Sequence, residues 1–356
     1  MANMRDYVYW RGDLTFSQSP FNEIDNVIFS ELAYIDYGGV VPEFPQKKKV
    51  LYKNVVKKVF SLHEKSTIVL GLIVPNTIVK LMDDLHESKR FGSLHVSNYT
   101  NVIDIDTKTQ FSAIVFHLSE KVIYVAYRGT DDTLIGWQEN IDMLYTCPTC
   151  SQKMAVSYLE EIAKIYPNTS IYMGGHSKGG NLANYAAIYC SDEVKERIIT
   201  CYTNDGQGMD KKLIDLEKLD KIKDKIVRII PENDVIGMIF DDCSGRTIIC
   251  KSNGSGVYQH DAFTWKIDVT NFHQVKEIKP SAVKMDNQLT KMIQNISMED
   301  KIELGKEIYE FICASHLDTL MDCKKESLKL LKYINKFSGK SKKIFLQLFS
   351  EFLFFK

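Results

Sequence analysis

The chain has 356 residues, 44% of them hydrophobic and 26% charged, with 45 basic side chains against 46 acidic ones. That length holds one large α/β domain with an appendage, or two domains, and the apolar content is enough to fill a core, which excludes a disordered chain. A net charge of -1 argues against a surface devoted to nucleic acid, and no uninterrupted apolar run of about 18 residues is present to span a membrane.

The first segment, MANMRDYVYWRGDLTFSQSP, carries Arg5, Asp6, Arg11 and Asp13 and lacks the apolar stretch of a secretory signal. A cytoplasmic location is therefore expected, with the eight cysteines as reduced thiols. Residues 20–36 place Ile24, Val27, Ile28, Leu32 and Ile35 at helical spacing, and further helices are expected near 48–64 and 76–88. Between about 94 and 128, YTNVIDID, FSAIVFHL and KVIYVAYR read as three sequential, antiparallel strands. After 130 the order alternates. A helix over 151–166 precedes the strand SIYMGG, a small-residue helix over 179–190, and the strand RIITCYT. The helix KKLIDLEKL, the strand DKIVRII, Gly/Ser-rich turns at 244–256 and a last sheet region near 257–268 follow. Such alternation builds a parallel sheet with covering helices. From about 283 onward only helices are expected, over 284–297, 298–314, 322–337 and 341–355. A boundary near 280 separates units 1–280 and 281–356. Residues 322–356 carry +6 and the remainder carries -7.

The sharpest chemical signal is Gly175-His176-Ser177-Lys178-Gly179, the pattern G-x-S-x-G between an apolar strand and a helix. That is the setting of a nucleophile elbow, a turn so tight that its neighbours must be small. Gly175 and Gly179, flanked by Gly174 and Gly180, provide that room. Ser177 is then the candidate nucleophile, and the backbone N–H of Lys178 points toward a developing oxyanion. Thr130, after the strand ending in Arg128-Gly129, is the candidate second oxyanion donor.

A serine needs a base, and the expected order is Ser, then an acid, then His. Of the later histidines, His260 lies in a loop beside a strand, His273 is second choice, and His316 falls in the helical tail as a surface residue. His176 is directed away from the nucleophile by the elbow and is expected to be structural. For the acid, Asp234 in Pro231-Glu232-Asn233-Asp234 is preferred on spacing to His260. Asp205, in the turn Asp205-Gly206-Gln207-Gly208, and Glu232 remain alternatives.

Together these residues resemble the class 3 lipases of the α/β-hydrolase superfamily. The shared features are Tyr127-Arg128-Gly129-Thr130, Trp137, Gly175 through Gly180, Asn233-Asp234-Val235 and Tyr258-Gln259-His260. The chain is closer still to a bacterial lipase-like family of unassigned function. That resemblance rests on Trp10 to Phe16, Gly175 to Ala183, Asp205 to Gly208 and Gln259 to Trp265. It covers most of 1–275 and does not extend to the tail. Asn140 stands where class 3 lipases have an aspartate, the stretch from Thr130 to Trp137 is slightly longer, and Lys178 stands where lipases often have leucine. A cation at 178 would suit an anionic head group or developing charge, or would snorkel to solvent.

The expected architecture is an α/β-hydrolase fold: a mostly parallel sheet with antiparallel edge strands, helices on both faces, a helical N-terminal lead-in and a helical C-terminal tail. The expected function is cofactor-free, serine-dependent hydrolysis of lipid or other acyl esters. A thioesterase or acyltransferase on the same residues, or a catalytically weak hydrolase-fold binding protein, are the alternatives. Cys147 and Cys150 form a C-x-x-C that would serve a redox or metal protein, but no second cysteine pair completes a zinc site. Asp131-Asp132 and Asp241-Asp242 could bind a cation, with solvated loop charge the plainer reading, and Asp104 and Asp106 read as surface residues. The lysine-flanked last helix either docks on the protein itself or in a dimer, or touches an anionic membrane surface.

Overall fold

The structure, a computed structural model, describes residues 2–240 and 242–354, with the side chains of all of these except 328–331 and 348–354. Two capped helices open the chain. α1 (Met4–Arg11) is capped by Asn3 and α2 (Glu23–Leu32) by Asn22, each with an aspartate three residues later bonding back to the cap. A short strand β1 (Val50–Leu51) leads into α3 (Tyr52–Leu62), followed by α4 (Thr77–His86) and α5 (Lys89–Gly92). Strands β2 (His95–Asp104), β3 (Thr109–His117) and β4 (Val122–Tyr127) are joined by short turns, so they pair antiparallel. Between β4 and β5 (Ser170–His176) lie α6 (Leu134–Asp142) and α7 (Cys150–Ile165). Then come α8 (Lys178–Tyr189), α9 (Asp192–Arg197), β6 (Ile198–Asn204), α10 (Leu216–Asp220), β7 (Ile226–Pro231) and β8 (Arg246–Cys250). A small hairpin, β9 (Ile267–Asp268) with β10 (Asn271–Phe272), precedes the tail.

The eight main strands lie in chain order, antiparallel from β1 to β4 and parallel from β4 to β8. Successive parallel crossovers therefore step in one direction and stack their helices on one face. That face carries Ala155, Tyr158, Leu159 and Ile162 of α7 and Leu182, Ala183 and Ala186 of α8. The opposite face must be covered by something else, and the N-terminal helices do so with Ile24, Val27 and Ile28 of α2, Val55 and Val56 of α3 and Leu81 and Met82 of α4. The lead-in is stitched down by Arg90. Its fully buried guanidinium bonds Asp25 through both Nε and Nη2, and the carbonyls of Ser19 and Pro20 as well.

Several expected elements differ. The segment 211–219 is helical only from Leu216, because Asp215 caps the helix there. The Gly/Ser-rich stretch 244–256 contains the edge strand β8, and the region 257–268 is mainly 3-10 turn. Helix α1 escaped sequence reading because its charged residues mask three buried apolar ones. In the tail, α11 (Pro280–Asn295) and α12 (Met298–Ser315) are continuous, whereas 322–337 splits into α13 (Leu320–Lys325) and α14 (Ser327–Ile334). The tail docks on α6. Leu134 shares a cluster with Phe311, Ile312 and Leu317, and the backbone pairs through Leu134 N–H to Asp318 O and Leu320 N–H to Asp132 O. The last helix, α15 (Gly339–Phe354), buries Ile344 against Leu289, Ile293 and Leu304 and leaves Leu346 exposed. The side chains of this helix from Leu348 onward lie outside those described. Among the described residues, no helix is long and apolar enough to cross a membrane.

Candidate active site

β5 ends at His176, and Ser177 takes φ 56° and ψ -130° before α8 begins. That backbone is costly for a residue with a β-carbon, and it persists because its surroundings enforce it. A β-carbon on Gly175 would lie 2.3 Å from the carbonyl carbon of Gly179, and one on Gly179 would lie 2.2 Å from Tyr127 O, so neither site admits a side chain. Ser177 N–H donates to Asn204 O at 3.0 Å, which locks the elbow to the end of β6. The serine caps no backbone amide with its own side chain and is partly exposed, so its Oγ is free for chemistry.

His260 sits in a 3-10 turn, Gly256–His260. Its Nδ1 bonds Asp205 Oδ2 at 2.7 Å, with the carboxylate accepting, so the lone pair lies on Nε2. Nε2 has no hydrogen-bond partner among the described residues. Both ends of this pair are tied to the neighbours of Ser177. Asp205 directly follows Asn204, and the backbone O of His260 accepts from His176 Nε2 at 2.8 Å. The two imidazoles lie 4.4 Å apart. Burial lowers the His260 pKa to about 4 and pushes the Asp205 carboxyl up to about 6.

The carboxyl on His260 thus belongs to Asp205, not to the sequence-preferred Asp234. Asp234 lies behind it at the end of β7, buried, with Oδ1 on Gly237 N–H at 3.0 Å. Spacing along the chain favoured the later strand, but β6 ends beside the elbow and β7 one strand further out. Glu232 instead pairs with Lys279. His273 bonds Asp268 on the exposed hairpin, and His316 ends α12.

Thr130 is buried at the exit of β4, and its Oγ accepts from Asn140 Nδ2 at 2.8 Å and donates to Asn140 Oδ1 at 3.2 Å. The amide of Lys178 occupies the first position of α8 and has no intrahelical acceptor. The Lys178 side chain departs from both sequence expectations, since it neither reaches solvent nor faces a ligand. It is fully buried, with Nζ on Glu139 Oε2 at 2.9 Å and Gln110 O at 2.8 Å. Burial alone would raise the Glu139 carboxyl, but Lys178 and the hydroxyl and amide of Ser151 hold it below its ordinary value. Glu139 had no motif to announce it.

A second set of residues missed in the sequence comes from α2, where every residue but Glu23 is buried, and from the turn just after it. Tyr34 O–H bonds His176 Nδ1 at 3.2 Å, and Glu31 Oε1, buried and without a hydrogen bond among the described residues, lies 3.5 Å from the same nitrogen. Asn26 and Ser30 bond Asn204, whose carbonyl holds the elbow. The available signal was the polar set Asp25, Asn26, Ser30 and Glu31 interleaved with the apolar residues of the helix.

Asp131 pairs with Arg128, while Asp132 accepts from the amides of Leu72 and Met321. Asp104 accepts turn amides. Asp241 lies outside the described residues, and Asp242 pairs with Arg228. Cys147 and Cys150 are both free thiols, and burial pushes Cys147 up to about 11. Among the described residues no group of three His, Cys, Asp or Glu side chains is arranged to hold a metal ion.

The family model described as Mbeg1-like matches residues 85–310, and the chain belongs to that family. No curated protein matches the chain. Solved structures with a similar backbone include lipase II from Rhizopus niveus, 14% identical, covering 40% of this chain and 60% of that one at a TM-score of 0.30. M37 lipase is 16% identical, with coverages of 62% and 70% and a TM-score of 0.40. A mutant form of MDLA from Penicillium cyclopium is 13% identical, with coverages of 72% and 87% and a TM-score of 0.37. The chain thus spans less than two thirds of the Rhizopus niveus lipase. At these identities and scores the likenesses carry no functional weight.

Proposed function

We propose that this member of the Mbeg1-like family is a serine hydrolase of carboxylic esters, acting on acyl or lipid esters through an acyl-enzyme. The observation that carries the reading is Ser177 at a positive φ, with the hydrogen-bonded His260–Asp205 pair tied to its neighbours His176 and Asn204. Ser177 Oγ attacks the ester carbonyl while His260 Nε2 takes its proton. Asp205, ionised, holds the ring orientation and stabilises the imidazolium. The oxyanion is received by Lys178 N–H and by Thr130. At rest the Thr130 hydroxyl donates to Asn140 Oδ1 at 3.2 Å, and it turns from that long bond to the oxyanion while Asn140 Nδ2 still donates to Thr130 Oγ. His260 then protonates the departing alcohol, and water repeats the sequence on the acyl-enzyme. An acyl substrate is supported by the exposed apolar residues Leu72 and Ile73, held beside the Thr130 loop through Asp132, and by Trp137 on α6.

Fluorophosphonate labelling read by intact mass, with p-nitrophenyl butyrate and octanoate turnover alongside, tests the reading. Wild type should label once, and Ser177→Ala should neither label nor turn over, a loss of about 10⁶ in kcat. Absence of labelling in folded wild-type protein would overturn it in favour of a hydrolase-fold binding protein.

A further inference from the structure

Two buried carboxyl groups meet behind His260. Asp205 and Asp234 are each about 1% exposed. Oδ1 of each accepts the same backbone proton, Gly237 N–H, at 3.0 Å. The two side chains are also within hydrogen-bonding reach of each other. A β-carbon on Gly237 would lie 2.7 Å from Asp205 Oδ1 and 2.7 Å from Asp234 Oδ2, so a glycine is what lets both groups close on this spot. Asp234 Oδ2 is buried and receives no hydrogen bond from any donor among the described residues. Asp205 Oδ2, by contrast, is engaged by His260 Nδ1–H.

One shared N–H cannot support two adjacent buried anions, so the pair keeps a proton. The donors available decide where it sits. Asp205 faces an imidazole N–H and the Gly237 amide, both of which favour its charged form. Asp234 shares that amide and leaves one oxygen empty, which suits a carboxylic acid that is itself a donor. We propose that Asp234 is a positioning residue: as a neutral acid, its Oδ2–H donates to Asp205 Oδ1, so that the pair's single negative charge stays on Asp205 and its other oxygen stays aimed at His260. This rests on the serine hydrolase reading given above. Burial and the Asp205 charge both push Asp234 well above the usual carboxyl range, which agrees with the geometry. The surrounding charged and titratable groups are Arg228 on β7, Asp286 on α11, Cys250 on β8 and His260 itself.

The device differs from a lone buried aspartate in one respect that can be measured. An amide at 234 can still donate to Asp205, whereas an aliphatic residue cannot. Asp205→Asn should lower kcat by about 10⁴ with little change in KM. Asp234→Val should lower kcat by about 10–100-fold, again with KM little changed, and Asp234→Asn should restore most of that loss. The low-field proton signal of His260 Nδ1–H should persist in Asp234→Asn and vanish in Asp205→Asn. An infrared difference spectrum of wild type minus Asp234→Asn at neutral pH should show the carbonyl band of a protonated carboxyl. A fall in Asp234→Asn as deep as that in Asp205→Asn, or no such infrared band, would overturn the proposal. The infrared measurement needs no turnover, so it answers even if wild type fails to label with fluorophosphonate, the result that would sink the hydrolase reading instead.

Discussion

Under the proposed mechanism the site has a nucleophile half and an acid–base half, and the two are built by different means. The elbow occupies six consecutive residues, Gly175 to Gly180, and its shape follows from contacts made within the turn and with the adjacent ends of β4 and β6. The acid–base half joins residues 55 positions apart, Asp205 and His260, and adds Asp234 from a third strand end. Trp265 Nε1–H bonds Gln259 O, and Asn233 N–H bonds Gln259 Oε1, so the His260 turn is hung from the same loop that carries Asp234. A steric device can be written in one short segment. A chain of hydrogen bonds between loops needs the sheet to bring its members together.

The contrast predicts where damage shows. Lys178→Met should act through folding, because it strands Glu139 as a buried unpaired charge. A loss of about 3–5 kcal/mol in urea unfolding is expected, and Lys178→Met combined with Glu139→Leu should recover much of it. Equal stability of the single and double variants would break the idea that the pair anchors the elbow helix. Thr130→Val should act on chemistry. Removing one oxyanion donor lowers kcat by about 10²–10³ with stability little changed, and an unaltered kcat would assign the second donor elsewhere.

The acid–base half should respond to pH by a smaller amount. His260 is depressed to about 4, so it is neutral and able to accept a proton through the neutral range. Asp205 is raised to about 6, so it loses its charge as pH falls through that value. kcat/KM should therefore decline below about pH 6, in a step belonging to the coupled group rather than to one residue. A rate flat down to about pH 5 would mean that Asp205 stays ionised with a lower pKa.

The same division separates what was legible in the sequence from what was not. The alternation of strand and helix after residue 130, the antiparallel start and the all-helical tail are local patterns of period and turn chemistry, and the structure carries them in that order. Ser177 was legible because glycines around it have a steric reason that is visible in one line of residues. Asp205 and Asp234 were both visible as acids after strands. Choosing between them depended on which strand end lies beside the elbow, and strand order is a property of the sheet. Lys178 read as a free cation because its partner, Glu139, is 39 positions away and marked by nothing local. Glu31 lies on a helix, and Tyr34 just after it, whose apolar spacing announced burial but not its neighbours. The sequence by itself determined the elbow and most of the elements, through sterics and periodicity that act over a few residues. The tertiary structure decided which acid holds the histidine, which charge is buried, and that the N-terminal helices cover the face the crossovers leave open. Each of those depends on distances between residues far apart in the chain.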